Sequence, residues 1–149
     1  MRAAVQRVAS ASVVVEQTPQ ASIGPGLLVY LAVAQSDTEA DAQALAAKVR
    51  HLRIFDDDDG QLNRDVAQAG GSVLAVSAFT LLGDARKGRR PSYVAAAAPA
   101  EAQPLYESFC EALTATGLTV LRGVFRAAMQ VESINDGPVC ILLDSRKLF

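Results

Sequence analysis

Apolar and polar positions alternate almost from the first residue of the chain. Arg2–Val8 reads as a strand with Ala4 and Val8 on one side and Arg7 on the other, and Ser12–Val15 as a second, β-branched strand. Gly24-Pro25-Gly26 marks a turn. Leu27–Val33 is an unbroken apolar run, the pattern of a strand buried on both faces. Over Ser36–Arg50 the period changes: Ala42, Leu45, Ala46 and Val49 recur at helical spacing, and Asp37 or Ser36 is placed to cap the start. His51–Phe55 reads as a short strand, Asp56–Asp59 with Gly60 as a turn, and Ser72–Thr80, after Gly70-Gly71, as a core strand. Residues 83–98 read as a loop that is long for a compact domain, and such loops are commonly functional. A second helix is predicted over Ala102–Thr116, with Leu105, Phe109, Ala112 and Leu113 on one face. Pro104 sets its start just upstream, since proline fits the first turn, and Gly117 stops it. Leu118–Leu121, Ala128–Ile134 and Val139–Asp144 complete the strands. The pattern predicts a single α/β domain over residues 1–149: a mixed or antiparallel sheet, or partial barrel, under two main helices.

Composition narrows the function classes. Half of the residues (50%) are hydrophobic, yet no apolar run approaches the ~20 residues of a membrane span. Met1-Arg2 leads straight into the alternation, so no signal peptide is predicted. Two cysteines, Cys110 and Cys140, are too few for a disulfide framework, which favours a cytoplasmic protein with reduced thiols. The net charge of −2 excludes a wholly basic nucleic-acid binder. The charge is uneven, however: Asp56–Asp59 form an acidic block, whereas Arg86, Lys87, Arg89 and Arg90 crowd one loop.

Conventional catalytic groups are scarce. The one histidine, His51, sits at a helix-to-strand junction, and nothing in the sequence brings it near Cys110, Cys140 or Ser77. The Asp block lacks the alternating ligand spacing of a calcium loop and reads as a solvated turn. Gly83–Ser92 is either an exposed loop or a flexible arm for phosphates, where cations supply affinity without reading bases. Asn135-Asp136-Gly137-Pro138 has the composition of a tight turn, yet strand formers follow it with no spacer. Proline at a strand entrance is tolerated at the first residue, and a cis X-Pro bond there is a less common alternative. No metal or organic cofactor is implied. An enzyme of this composition must draw on backbone dipoles or on groups of its substrate.

Taken in order, MRAAVQRV, IGPGLLVYLAV, LRIFDDDDG, VSAFTLLGDARKGRRPSY and MQVESINDGPVCILLD resemble the D-aminoacyl-tRNA deacylase family nearly end to end. That family carries a Ser-Gln-Phe-Thr-Leu motif, matched here by Ser77-Ala78-Phe79-Thr80-Leu81, and Asn-x-Gly-Pro-Val-Thr, matched by Asn135-Asp136-Gly137-Pro138-Val139-Cys140. The resemblance implies a homodimer that hydrolyses the ester joining a D-amino acid, or glycine, to the 3′-terminal adenosine of tRNA. It implies catalysis around Ser77, Ala78, Phe79 and Thr80. It also implies a cis Gly137–Pro138 bond whose carbonyls reach the partner's site and exclude L side chains, with Arg7 bracing that rim and Asn135, Val139, Cys140 and Met129 as neighbours. Arg86, Lys87, Arg89 and Arg90 are then the residues expected on tRNA phosphates. The vicinal 2′-OH of the terminal ribose is expected to assist hydrolysis.

Two departures qualify this expectation. Ala78 replaces a glutamine that offers two donors and an acceptor, and a lost neutral hydrogen bond costs about 0.5–1.5 kcal/mol. Cys140 replaces a hydroxyl with a weaker, larger thiol. They leave three competing readings: a tRNA 3′-end binding protein with weakened catalysis, a thioesterase-like enzyme using Cys140, and Thr80 as a nucleophile.

Overall fold

The computed structural model describes residues 1–148. Strand β1 (Arg2–Val15) is followed by β2 (Thr18–Ile23) and β3 (Gly26–Ala32), then helix α1 (Glu39–Arg50) and a small hairpin of β4 (Phe55–Asp56) and β5 (Leu62–Arg64). Strand β6 (Ser72–Ser77) runs into a 3-10 turn (Phe79–Leu82). Helix α2 (Pro99–Thr114), β7 (Val120–Arg122) and β8 (Gln130–Asp144) complete the chain. The main sheet has the order β2-β1-β3-β6-β7, with β8 paired to β1. Pairs involving β1 are antiparallel, whereas β3–β6 and β6–β7 are parallel, so the sheet is mixed as predicted.

At β3 and β6 the sheet is buried on both faces, which explains the unbroken apolar run in β3. Leu27, Val29 and Leu31 join Val73, Ala75, Val49, Phe109 and Leu113 in the core beneath the two helices. Leu28, Leu74 and Val76 point the other way and join Val8, Val13 and Ile23 inside the curved sheet. The close β3–β6 approach requires glycine at position 26, where a Cβ would lie 1.9 Å from the Ser72 carbonyl oxygen.

Several predicted boundaries move. The two N-terminal strands are one, because β8 pairs along nearly the whole of β1 and holds it continuous. The segment Thr18–Ile23 is a strand that the polar sequence did not announce. Helix α1 starts at Glu39 with Thr38 as its cap in a reciprocal capping box with Asp41. Asp37 is otherwise engaged: it accepts from the Ala34 N–H and pairs with the Met1 ammonium (2.8 Å) and Arg146 (2.8 Å). The predicted strand over His51–Phe55 shrinks to Phe55–Asp56. Strand β6 ends at Ser77 rather than Thr80, because Ala78 turns the chain at ψ 77° into the 3-10 turn. Helix α2 starts at Pro99, so Pro104 lies inside it and not in its first turn. Proline at position 104 has no N–H for the Ala100 carbonyl. The predicted strands on either side of Asn135–Pro138 are both parts of β8.

Gly26→Ala should destabilise the protein by about 1–3 kcal/mol, because the added methyl must force β3 and β6 apart. Chemical denaturation with an unchanged midpoint would contradict this packing.

Candidate functional site

Two features of the fold hold chemistry: a cleft at the end of β6 and a bulge in the middle of β8. The bulge arises from mismatched register. Gln6 pairs with Cys140 and Val8 with Asn135, so four residues of β8 (136–139) stand opposite the single residue Arg7. The Asn135 side chain closes the neck of this loop. Its Oδ1 accepts from the Val139 N–H (2.8 Å), and its Nδ2 donates to the Val139 carbonyl (3.1 Å). This amide copies the ladder bonds a strand partner would have made.

Arg7 braces the tip of the loop. Its side chain is buried, with Nε donating to the Asp136 carbonyl (2.9 Å) and Nη1 to the Ile54 carbonyl (2.9 Å). The Asp56 and Asp136 carboxylates, 3.4 and 3.3 Å away, offset its charge. Asp56 of the acidic block therefore serves Arg7. The others build the β4–β5 turn: Asp57 accepts from the Asp59 and Gln61 N–H groups, and Asp58 pairs with Arg64. Gly137 has φ +137°, and a Cβ there would lie 2.7 Å from Val139 Cγ2 and 2.9 Å from Val139 N, so only glycine fits. The Gly137–Pro138 peptide bond is cis.

The cleft has a volume of about 720 Å³. Its lining includes Ser77, Ala78, Phe79 and Thr80 from the end of β6 and the 3-10 turn, together with Met129. The structure thus gathers all four predicted catalytic residues at one cavity. Gly137 and Pro138 do not line it. Further lining residues went unnoticed in the sequence, where they pass for core aromatics or surface charge: Tyr30, Tyr93, Tyr106, Phe125 and Arg126. Phe79 is exposed and meets Tyr93 edge-on, with ring centroids 5.2 Å apart. Tyr106 donates to the Ala75 carbonyl (2.9 Å), and burial pushes its hydroxyl well above the ordinary tyrosine range. Burial also raises Tyr30. Neither phenol is thus disposed to act as a base near neutral pH. His51 lies beside Asp65 (3.8 Å), outside the cleft lining.

A family profile described as D-Tyr-tRNA(Tyr) deacylase matches residues 4–144. The chain belongs to this deacylase family. Among its relatives, a D-aminoacyl-tRNA deacylase of Anaeromyxobacter dehalogenans (strain 2CP-C) is 57% identical, with both chains covered in full. Another, from Desulforamulus reducens, is 56% identical over the same full lengths. The solved structure of a c-Myc DNA unwinding element binding protein superposes with a TM-score of 0.91 at 37% identity, covering 97% of this chain and 98% of that one. A probable eukaryotic D-amino acid tRNA deacylase shares the fold, with a TM-score of 0.82 at 17% identity over 95% and 97% of the two chains.

Deacylase-family membership makes the chain a hydrolytic enzyme and gives the two motifs their places in the fold. Ser77–Leu81 turns at the cleft, and Asn135–Cys140 forms the bulge. Of the basic loop, Arg86 is tied to Asp84 by two side-chain bonds (2.9 and 2.6 Å), whereas Lys87, Arg89 and Arg90 are exposed. No helix among the described residues is long and apolar enough to cross a membrane.

The two thiols should behave differently. Cys110 is fully buried and its thiol is pushed up to about 11 by that burial, whereas Cys140 is exposed on β8. Native protein at pH 8 should therefore release at most one equivalent of thiolate reporter per chain from a disulfide reagent, from Cys140, and the unfolded protein about two. Rapid release of two equivalents from native protein would contradict the buried placement of Cys110.

Proposed function

We propose that the chain is an aminoacyl-tRNA editing hydrolase that cleaves the ester of D-aminoacyl-tRNA and of glycyl-tRNA, including glycine mischarged on tRNA-Ala, and rejects L-aminoacyl-tRNA. The observation that carries this reading is the Arg7-braced bulge of β8, together with the cleft that gathers Ser77–Thr80. The Gly137 and Pro138 carbonyls form a stiff rim of acceptors where an L side chain would have to lie. A D side chain points elsewhere, and glycine has none, so a filter of this kind passes glycine as well.

The rim does not line the cleft of its own protomer, which supports a homodimer in which each bulge serves the partner's cleft. The long edge strand β8 presents Ile134 and Leu142, 63% and 57% exposed, and two copies of this chain can cover that surface. The working location is the cytoplasm, where charged tRNA is made and used.

Hydrolysis needs a polarised carbonyl, a stabilised oxyanion and an activated water. The described side chains lining the cleft include no carboxylate and no imidazole. The backbone N–H groups of Phe79 and Thr80 open the 3-10 turn, so they have no acceptor within it. They are the donors assigned to the oxyanion, and one such donor is worth about 2.7–4 kcal/mol. The ribose 2′-OH of the terminal adenosine supplies the remaining polar group. No base among the lining residues activates Thr80, and Cys140 lies outside the lining, so neither is assigned as nucleophile. Ala78 lines the cleft without a polar group, so this chain lacks whatever bond a glutamine amide would make there. That lowers the efficiency expected of the site without removing its backbone donors.

The reading is tested with D-tyrosyl-, L-tyrosyl- and glycyl-tRNA. The D and glycyl esters should be cleaved and the L ester spared, and a 2′-deoxy terminal adenosine should abolish turnover. Binding without cleavage of any ester would leave only an RNA-binding role. Arg7→Ala removes the brace on the Asp136 carbonyl, so chiral discrimination should fall by about 10-fold or more, given the worth of a charge-assisted hydrogen bond. An unchanged D-to-L rate ratio in that variant would separate Arg7 from selectivity.

A further inference from the structure

The cleft lining includes one formally charged side chain among the described residues, Arg126. It occupies an unusual place. Val124–Ala127 form a four-residue turn between β7 and β8, closed by the Ala127 N–H donating to the Val124 carbonyl (3.2 Å). Arg126 is the third residue of this turn and has φ +64°, a backbone region that glycine or asparagine adopts with less strain. Phe125 packs on Tyr106, with ring centroids 5.8 Å apart, and so anchors the turn to the cleft wall. Arg126 makes no ion pair or side-chain hydrogen bond with any described residue, and it is exposed. A bulky cation thus stands at a strained position beside an apolar cleft, and its side chain has no polar partner there among the described residues.

We propose that Arg126 binds the phosphodiester on the 5′ side of the terminal adenosine. The inference rests on the deacylase reading and assigns one end of that substrate. The aminoacyl end carries an α-ammonium, which a guanidinium repels. The adenine is neutral. The phosphodiesters are the substrate's only anions, and a planar guanidinium can hold two of their oxygens at once. Arg126 therefore marks the nucleotide end of the cleft, which leaves the Phe79 side for the ester. The site differs from the loop cations Lys87, Arg89 and Arg90, which are free to meet phosphates farther along the RNA.

The backbone makes the test discriminating. Arg126→Gly relieves the strained φ, so its melting temperature should equal or exceed that of the wild type. Its affinity for a stem-loop RNA ending in unpaired CCA should nevertheless fall about 10-fold at low salt, the equivalent of one charge-assisted hydrogen bond. The slope of log affinity against log salt should shrink by about 0.7, the share of one single-strand phosphate. Arg126→Lys should recover part of the loss. In turnover, the ratio of kcat/KM for D-tyrosyl-tRNA to that for D-tyrosyl-adenosine, which lacks the phosphate, should drop about 10-fold, mainly through KM. RNA affinity in Arg126→Gly equal to the wild type, or an unchanged substrate ratio, would overturn the assignment. A wild type that binds the RNA but cleaves neither ester would refute the deacylase reading, and the binding arm would still decide the role of Arg126.

Discussion

One buried guanidinium ties together three pieces of chain that are far apart in sequence. Arg7 leaves β1 opposite the bulge, donates to the Asp136 carbonyl at the bulge tip, and donates again to the Ile54 carbonyl before the small hairpin. Placing a charge there costs desolvation energy, and two carbonyls with two half-exposed carboxylates offset it. Without Arg7, two backbone acceptors would lose a partner, at about 1–3 kcal/mol for each that stays buried. The interaction therefore fixes the shape of the bulge and not only its presence. Asn135 holds the neck and Arg7 holds the tip, so the intervening Gly137–Pro138 carbonyls have little freedom to move.

The sheet supports this arrangement through β3 and β6, whose two faces are both buried. Residues alternating along β6 serve different ends: Val73 and Ala75 pack beneath the helices, while Leu74 and Val76 face the interior of the curve. Val76 also lines the cleft, and Ala75 anchors Tyr106 through its carbonyl. The turn at the cleft thus begins where a fully packed strand ends, and its backbone geometry is set by the fold. The mechanism proposed for this site, with main-chain donors on the oxyanion, needs this rigidity, since it has no side chain to reposition.

Much of the fold was legible in the sequence for a plain physical reason. The helical spacing of Ala42, Leu45, Ala46 and Val49 and the apolar run of β3 each have a single good explanation in burial. What misled was punctuation. Asn135–Pro138 has the composition of a turn, yet β1 passes alongside and pairs on both sides of it, so a strand continues. Ser72–Thr80 has no breaker at Ala78, yet the chain leaves the sheet there. Pro104 suggested a helix start, while Pro99, five residues earlier, holds the true first turn. The site divided in the same way. Ser77–Thr80 and Asn135–Cys140 were visible through family resemblance. Arg126 was not, because nothing in its identity signals a positive φ; only the backbone shows that an arginine has taken a position suited to glycine.

That placement bears on how an acidic chain of net charge −2 handles a polyanion. Association depends on where unpaired cations stand more than on the total. Here the fold spends its acidic residues away from the cleft or neutralises basic ones with them. Asp57 and Asp58 close the β4–β5 turn, Asp56 serves Arg7, and Asp84 holds Arg86. Among the cations without an ion-pair partner in the described residues are Lys87, Arg89 and Arg90 on the loop that carries Tyr93 to the cleft, and Arg126 on the β7–β8 turn that also contributes to its lining. In the proposed complex, an RNA end drawn by the loop meets an apolar cavity with Arg126 beside it, and that cation attracts phosphate while repelling an ammonium. On the reading proposed above, the charge that holds the nucleotide also sets which way round the aminoacyl group enters, and handedness at the rim is read only after that orientation is settled.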